Sequence, residues 1–103
     1  MRVVVFFDLP TETSSDLKEY RRFRKLLINE GFLMMQESVY TKLALNKSTV
    51  DSIAHKLRVG KPKAGLVQML VITEKQFAGI EYIVGDKQYI YEEYDERLII
   101  VWG

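Results

Sequence analysis

The sequence contains no cysteine, a single histidine and only two prolines. Without cysteine the chain can form no disulfide framework, no thiolate zinc site and no cysteine nucleophile, which fits a reducing compartment. The apolar run Val3–Phe7 is too short for the core of a secretory signal and far short of the ~20 apolar residues that a membrane span needs. We therefore expect a cytoplasmic protein that does not engage a membrane.

Several enzyme signatures are also missing. The sequence has no phosphate-binding loop G-x-x-x-x-G-K-[ST], no dinucleotide fingerprint G-x-G-x-x-G and no defensible Ser-His-Asp arrangement. The aromatic pattern lacks the glycine-and-aromatic run of an RNA-recognition motif, which argues against base stacking on a sheet. The lone histidine, His55, projects from the polar side of a predicted helix and is typical of a surface residue.

The residues that are present suit one small domain covering residues 1–103. Of the 103 residues, 48% are hydrophobic, which is enough for a core. A closed active-site cavity would compete with that core for apolar side chains, so we expect a site at the surface or shared between chains.

Charge is nearly balanced overall but not along the chain. Fifteen basic residues face 14 acidic ones, a net charge of +1. Residues 1–65 carry 12 basic and 7 acidic side chains, whereas residues 66–103 carry 3 and 7. This asymmetry is a hint of a polyanion-binding surface in the first part and an acidic docking segment in the second.

The first half of the chain has a clear pattern of elements. Arg2–Phe7 is a continuous β-branched and aromatic run that predicts a buried central strand ended by Pro10. Polar residues 11–16 can cap a helix whose apolar stripe recurs at helical spacing until Gly31. Residues 32–45 favour strand, and the polar pair Gln36-Glu37 marks a bulge or bend.

The second half is predicted from similar patterns. A helix from about Ser48 ends at Gly60, because its apolar residues recur at i, i+3, i+4 and i+7. Leu66–Thr73 is interpreted as a second buried strand, and Phe77–Val84 as a strand or a helical turn leading into one. A polar, acidic stretch from Asp86 to Glu96 then precedes a last apolar strand over Leu98–Trp102.

The order is β-α-β-α-β-β-β, or β-α-β-β-α-β-β if the second strand region is a bent hairpin. Either order suits an α+β, ferredoxin-like sandwich: an antiparallel sheet with two helices on one face plus an extra C-terminal strand. The other face of a sheet rich in valine, phenylalanine and leucine cannot stay open to water. We therefore predict a homodimer formed through that side of the sheet.

Asp8 is the most conspicuous carboxylate because it ends an apolar strand. One interpretation is that it caps the following turn by accepting from backbone N–H groups near Thr11. The other is a functional role as a ligand of Mg²⁺, which prefers oxygen ligands, waters and a substrate phosphate. A single aspartate cannot build a metal site, but a two-fold dimer supplies two copies.

Two basic sets are candidates for contact with nucleic-acid phosphates. The first shares one face of the first helix and comprises Lys18, Arg21, Arg22 and Lys25. The second lies at the end of the second helix and in the next loop and comprises Lys56, Arg58, Lys61 and Lys63. A solvated helix face explains the first set equally well, and cations favoured at a helix C-terminus explain part of the second. Arg24 falls on the apolar side and suits an ion pair or interface.

A third pattern is a run of tyrosines among acidic residues. Its tyrosines and carboxylates are Tyr89, Tyr91, Glu92, Glu93, Tyr94, Asp95 and Glu96. The run is either an amphipathic docking segment or an acidic loop before an edge strand.

The chain also resembles a known family over nearly its whole length. The similarity is carried by the run from Val3 to Pro10, by Tyr20–Leu27, by Gly31-Phe32 with Gln36–Tyr40, and by Thr73–Phe77 with the turn Gly85–Lys87. In this order they are similar to the small CRISPR-associated adaptation proteins, the dimeric companions of the CRISPR integrase. Members from CRISPR systems with a single large effector nuclease look most similar.

The resemblance implies a ferredoxin-like homodimer with the two Asp8 carboxylates near its two-fold axis. Members of the family have been described as metal-dependent endonucleases in which the counterpart of Asp8 binds the metal. They have also been described as scaffolds that bridge integrase dimers and hold the prespacer duplex.

Three hypotheses follow. The leading one is a scaffold subunit of the spacer-acquisition complex that binds double-stranded DNA through its backbone, with the acidic 86–96 segment and the last strand as the favoured integrase contact. The second is an Mg²⁺-dependent phosphodiesterase acting on RNA or DNA, with Asp8 from both chains as catalytic metal ligand. The third is a regulatory module that binds a small ligand or another protein.

Overall fold

The computed structural model describes residues 1–85 with their side chains, and residues 88–92 and 98–102 as backbone. Strands and helices alternate as follows: β1 (Arg2–Asp8), α1 (Ser14–Asn29), β2 (Leu33–Gln36), β3 (Val39–Leu43), α2 (Lys47–Val59), β4 (Leu66–Ile72), α3 (Glu74–Ala78), β5 (Gln88–Glu92) and β6 (Leu98–Trp102).

The strands form one antiparallel sheet in the order β4-β1-β3-β2-β5-β6. The first four strands in this order, with α1 and α2 on one face, form the predicted ferredoxin-like sandwich. As predicted, β1 is central, and it lies between β4 and β3. The second strand region is therefore the bent hairpin, and the observed order β-α-β-β-α-β-α-β-β adds the short helix α3 and one further strand.

The core lies between the sheet and the two long helices. Val3, Val5 and Phe7 point from β1 into this layer and are buried. Phe23 and Leu27 of α1 and a group from α2 meet them there; the α2 group comprises Val50, Ile53 and Leu57. Alternation along the strand then places Val4, Phe6 and Asp8 on the opposite side, which we call the open face.

Local signals set the limits of both long helices. Thr13 caps α1: its hydroxyl accepts from Asp16 N at 3.0 Å, and the Asp16 carboxylate accepts from Thr13 N at 3.2 Å, forming a capping box. Gly31, with φ of +90°, follows the end of α1 as predicted. Asn46 caps α2, and Gly60 ends it.

The polar pair Gln36-Glu37 marks the hairpin between β2 and β3. The register of the two strands shifts between Met34 and Gln36, which is the predicted bulge. Tyr40 and Thr41 after the turn are fully buried, and the Thr41 hydroxyl donates to the Val3 carbonyl at 3.0 Å.

The prediction that Leu66–Thr73 is a buried strand is wrong in one respect. The strand exists, but it is an edge strand, and five of the seven residues of β4 are exposed in the chain alone. On the open face, Leu66 and Leu70 are 55% and 50% exposed. A continuous apolar run is also expected in a strand whose second face is covered by something other than the helices of the same chain.

Of the two alternatives for Phe77–Val84, the strand is wrong and the helical turn is correct for the first residues. The short helix α3 takes residues 74–78, because Thr73 and Gln76 form a second capping box, and Phe77 is its buried anchor. The guanidinium of Arg2 lies 4.3 Å from the centre of the Phe77 ring and forms a bidentate pair with Glu74. The next strand is instead β5, inside the stretch interpreted as polar and acidic. The last strand, β6, lies where predicted.

Candidate functional site

Asp8 is the last residue of β1 and lies opposite Leu66 of β4. It is exposed, and its carboxylate accepts no hydrogen bond and forms no ion pair within residues 1–85. The capping role considered for Asp8 belongs instead to Thr13, whose side chain accepts the helical N–H. The carboxylate is thus available at the end of the open face.

The neighbour of Asp8 in the chain is anchored firmly in the core. The ring of Phe7 stacks on Tyr40 at 5.8 Å between centroids and meets Phe23 edge-on at 5.4 Å. The backbone N–H of Phe7 donates to the Ser38 carbonyl at 3.1 Å. Because Phe7 is fixed on one side of the strand, the position of Asp8 on the other side is fixed as well.

The loop before β4 packs tightly against the same strand end. Gly65 has φ of +96°, and a Cβ at this position would lie 2.6 Å from the Asp8 carbonyl oxygen and 2.8 Å from Leu9 Cδ2. Only glycine fits this approach. The loop of residues 60–65, which we call the lysine loop because it carries Lys61 and Lys63, is thereby held beside Asp8.

A single chain supplies one carboxylate to this position. The described residues contain no group of three or more histidine, cysteine, aspartate or glutamate residues able to hold a metal ion. An unpaired carboxylate suits Mg²⁺, but the remaining ligands must come from water, a substrate phosphate or a second copy of Asp8. Within one described chain, Asp8 is therefore one possible metal ligand and not a complete metal site.

Most of the first basic set forms an exposed row on α1. Lys18, Arg21 and Lys25 point away from the core, and neither Lys18 nor Arg21 forms an ion pair with another described residue. Arg24 is half-buried, and its Nε donates to the Tyr40 hydroxyl at 2.8 Å, in keeping with its predicted place on the apolar side.

Arg22 differs from the rest of the row because its guanidinium has several partners. Nε donates to Glu19 Oε2 at 2.9 Å. Nη2 reaches Glu19 Oε1 at 3.3 Å, the Gly60 carbonyl at 3.0 Å and the Lys61 carbonyl at 3.1 Å. Arg22 therefore ties α1 to the lysine loop, an engagement that the charge pattern alone does not reveal.

Glu19 completes this connection. Its Oε1 accepts from the backbone N–H of Lys63 at 3.2 Å. The hydrogen bond from Arg22 is the main reason that the pKa of the Glu19 carboxyl lies below its ordinary value. Desolvation is the next largest effect and opposes it, whereas the Lys63 N–H and the charges of Arg22 and Lys63 lower the pKa by smaller amounts. The i, i+3 spacing of Glu19 and Arg22 is the signal in the sequence for this pair.

The second basic set is also exposed but only partly available. Lys56 Nζ lies 3.1 Å from Glu30 Oε1, so this lysine is paired across the two helices. Arg58 and Lys61 stand at a cavity of about 330 Å³ between α2 and β4, whose apolar wall includes Leu57, Val67 and Met69. His55 is exposed, as predicted.

The structure joins the α1 row to the lysine loop, whose backbone lies beside Asp8, and leaves the Asp8 side chain on the other side of the sheet. Arg22 and Glu19 join the α1 row to the lysine loop on the helix side, whereas Asp8 projects from the open face. The side chains of the acidic, tyrosine-rich segment lie outside the described residues, so the predicted integrase contact stays a prediction. None of the described helices is long and apolar enough to cross a membrane.

Comparisons with known proteins bear on this arrangement. The family described as "CRISPR associated protein Cas2" matches residues 1–80. A "CRISPR-associated endoribonuclease Cas2" of Treponema denticola is 48% identical over 98% of this chain and 100% of its own length. One of Streptococcus mutans serotype c, strain UA159, is 43% identical over 98% of this chain and 93% of its own length.

A solved structure agrees on the fold. The crystal structure of Streptococcus pyogenes Cas2 at pH 6.5 superimposes with a TM-score of 0.63 and 24% sequence identity, covering 82% of this chain and all of that one. The shared fold, together with the family match and the two relatives, leads to one conclusion: this chain belongs to the Cas2 family of CRISPR-associated proteins.

Proposed function

We propose that this protein is the dimeric scaffold subunit of a CRISPR spacer-acquisition complex, bridging integrase dimers and holding prespacer duplex DNA by its backbone. The observation that carries the proposal is the exposed row of α1 cations joined to the lysine loop in a chain of this family. Contacts between such cations and phosphates are independent of sequence, which suits a protein that must accept arbitrary foreign DNA.

The dimer is expected to form through the open face. Val4 and Phe6 of β1 are half-buried there, and Leu66 and Leu70 of β4 are exposed beside them. Apolar side chains gathered on one face of a sheet gain about 25 cal/mol per Å² when a partner covers them. A second copy related by a two-fold axis offers the same face in return.

The test of DNA binding compares two charge-matched double variants. Lys18→Ala with Arg21→Ala removes two cations of the row, whereas Lys47→Ala with Lys75→Ala removes two exposed cations elsewhere. The affinity of the purified dimer for two unrelated duplexes is measured at several salt concentrations, with and without integrase. The proposal predicts a loss of roughly tenfold and a salt slope smaller by about two for the first variant only. Equal effects of both variants would contradict the assignment of the row.

A second function is favoured by the state of Asp8. Because its carboxylate has no competing partner among the described residues, two copies are suited to hold one Mg²⁺ between protomers. Bound there, Mg²⁺ would polarise a phosphodiester and lower the pKa of its water. The relatives carry the name endoribonuclease, so single-stranded RNA is the first substrate to test and duplex DNA the second.

Asp8→Asn separates the two functions. An essential nuclease predicts that Mg²⁺-dependent cleavage falls to background and that spacer integration stops. The scaffold proposal predicts that duplex affinity and integration survive in the same variant. Integration that fails while the dimer and its duplex affinity stay intact would overturn the scaffold proposal in favour of catalysis.

A further inference from the structure

The lysine loop is held in place by backbone interactions rather than by its lysine side chains. Arg22 of α1 donates to the carbonyls of Gly60 and Lys61, and Glu19 of α1 accepts from the N–H of Lys63. At its far end the loop presses on the Asp8 and Leu9 backbone through Gly65. The loop backbone is thus fixed at three points.

The lysine side chains are left at the surface by this arrangement. Lys61 and Lys63 are exposed, and their ammonium groups form no salt bridge within the described residues. A flexible cation must lose conformational entropy when it binds a phosphate, and a backbone fixed in advance reduces that cost.

Arg22 is poorly suited to bind phosphate itself. Its Nε and Nη2 are occupied by Glu19 and two carbonyls, an arrangement that requires the planar fork of a guanidinium. A lysine at this position would keep the charge but could not make the same set of bonds.

The geometry points to Glu19 and Arg22 as positioning residues that hold the lysine loop beside α1. In this arrangement Lys61 and Lys63 extend the row of Lys18 and Arg21 into one continuous track for the phosphates of a nucleic-acid duplex. The inference rests on the proposed DNA-binding function and assigns roles within it.

Glu19→Ala gives the sharpest test because charge and positioning predict opposite signs. Removing a negative charge beside a phosphate-binding surface strengthens binding if only Coulomb attraction matters. Loss of the loop's support instead weakens duplex binding by roughly three- to tenfold and lowers the salt slope by up to about two. Tighter binding by Glu19→Ala, with an unchanged salt slope, would overturn the inference.

Arg22→Lys separates a positioning residue from a phosphate ligand. If Arg22 bound phosphate directly, Arg22→Lys would keep most of the affinity for the duplex. The inference instead predicts that Arg22→Lys lowers the affinity for the duplex about as much as Arg22→Ala does. Arg21→Lys is the matched control and should retain binding. Amide hydrogen exchange is expected to rise at Lys61 and Lys63 in Arg22→Lys, with the thermal midpoint reporting that the core is intact.

A variant that lacks the loop cations distinguishes failure of the positioning role from failure of the proposed DNA-binding function. With Lys61→Ala and Lys63→Ala already present, Glu19→Ala should cost no further affinity. If the lysine variants weaken binding but Arg22→Lys does not, the inference fails and the DNA-binding function stands. If neither the lysine variants nor the Lys18→Ala, Arg21→Ala variant changes duplex binding, the proposed function itself fails.

Discussion

The two faces of the sheet expose different kinds of surface. The helix side carries cations whose positions are set by α1 and the lysine loop, and these groups can stay hydrated until phosphate arrives. The open face carries exposed leucines on β4 beside half-buried apolar residues of β1. An apolar face is stable only when it is covered, so this difference agrees with the proposed function, in which one face binds nucleic acid and the other binds a second copy of the chain.

Asp8 lies where these two surfaces meet. It belongs to the open face by the alternation of β1, but its backbone is in contact with the lysine loop of the helix side. A duplex that follows the loop toward this end of the sheet would therefore approach the dimer axis expected near Asp8. Substitutions confined to one face test whether the two faces have these separate roles.

The largest effect is expected from Leu70→Glu on the open face. Leu70 is 50% exposed in the chain alone and lies opposite Val4 in the sheet. In a two-fold dimer each substitution acts twice, so burying two carboxylates in place of two leucines should cost about 3–6 kcal/mol of dimer stability. Sedimentation of the purified protein is expected to show monomers at concentrations where the unsubstituted chain is dimeric.

Leu45→Glu is the matched control for this prediction. Leu45 is 86% exposed in the connection between β3 and α2, outside the strands of the sheet. This variant should remain dimeric. A Leu70→Glu protein that is still a dimer, with the same dissociation constant as Leu45→Glu, would show that the open face is not the interface.

Local patterns in the sequence were sufficient to predict most of the fold. The apolar spacing of α2, the polar cluster before α1 and the glycines after both helices place these elements correctly because each depends on neighbouring residues. The apolar run of β4 predicts a strand but not its exposure, since burial depends on which strands lie beside it. The helix α3 was predicted only as one of two alternatives, because strand-forming residues follow the capping box at Thr73.

The candidate site was predictable only in part, because some of its contacts join residues that are distant in the sequence. Asp8 stands out because it ends an apolar strand, and the charge of the α1 row is visible from helical spacing. The partners of Arg22 lie 38 and 39 positions away in the chain, at Gly60 and Lys61, and no local pattern reveals them. The tight contact of Gly65 with Asp8 likewise depends on the packing of two distant segments.

Gly65→Ala should have a smaller effect than Leu70→Glu. Because Gly65 packs between the lysine loop and the end of β1, the substitution should disturb both the helix side and the open face. A methyl group at this position would meet the Asp8 carbonyl at 2.6 Å, and the backbone also has a positive φ. Strain of this kind costs roughly 1–3 kcal/mol, and relief requires the lysine loop to move. We expect a lower thermal midpoint together with weaker duplex binding.

Gly85→Ala isolates the two sources of strain in this prediction. Gly85 has nearly the same φ, +93°, but a Cβ there would have no atom of the described residues within 4 Å. This control should therefore show only the modest cost of the backbone conformation and unchanged duplex affinity. If the two variants behave alike, the contact between the lysine loop and Asp8 has no role in positioning the loop.

The smallest effect is expected from the titration of Glu19. Its pKa is lowered in the folded chain, chiefly by the hydrogen bond from Arg22, so the carboxylate stabilises the fold fully above the pKa of an unfolded glutamate. That contribution is lost only as the pH falls through the lowered folded value, and the support of the lysine loop should not change around neutral pH. In an NMR titration, the Glu19 carboxyl carbon and the Lys63 amide should shift together at a pH below the ordinary range of glutamate. Arg22→Lys should move the midpoint of the Glu19 titration back toward the ordinary value. In the unsubstituted chain, a midpoint at or above the ordinary range of glutamate, or a Lys63 amide that does not shift with Glu19, would mean that the carboxylate does not hold the loop.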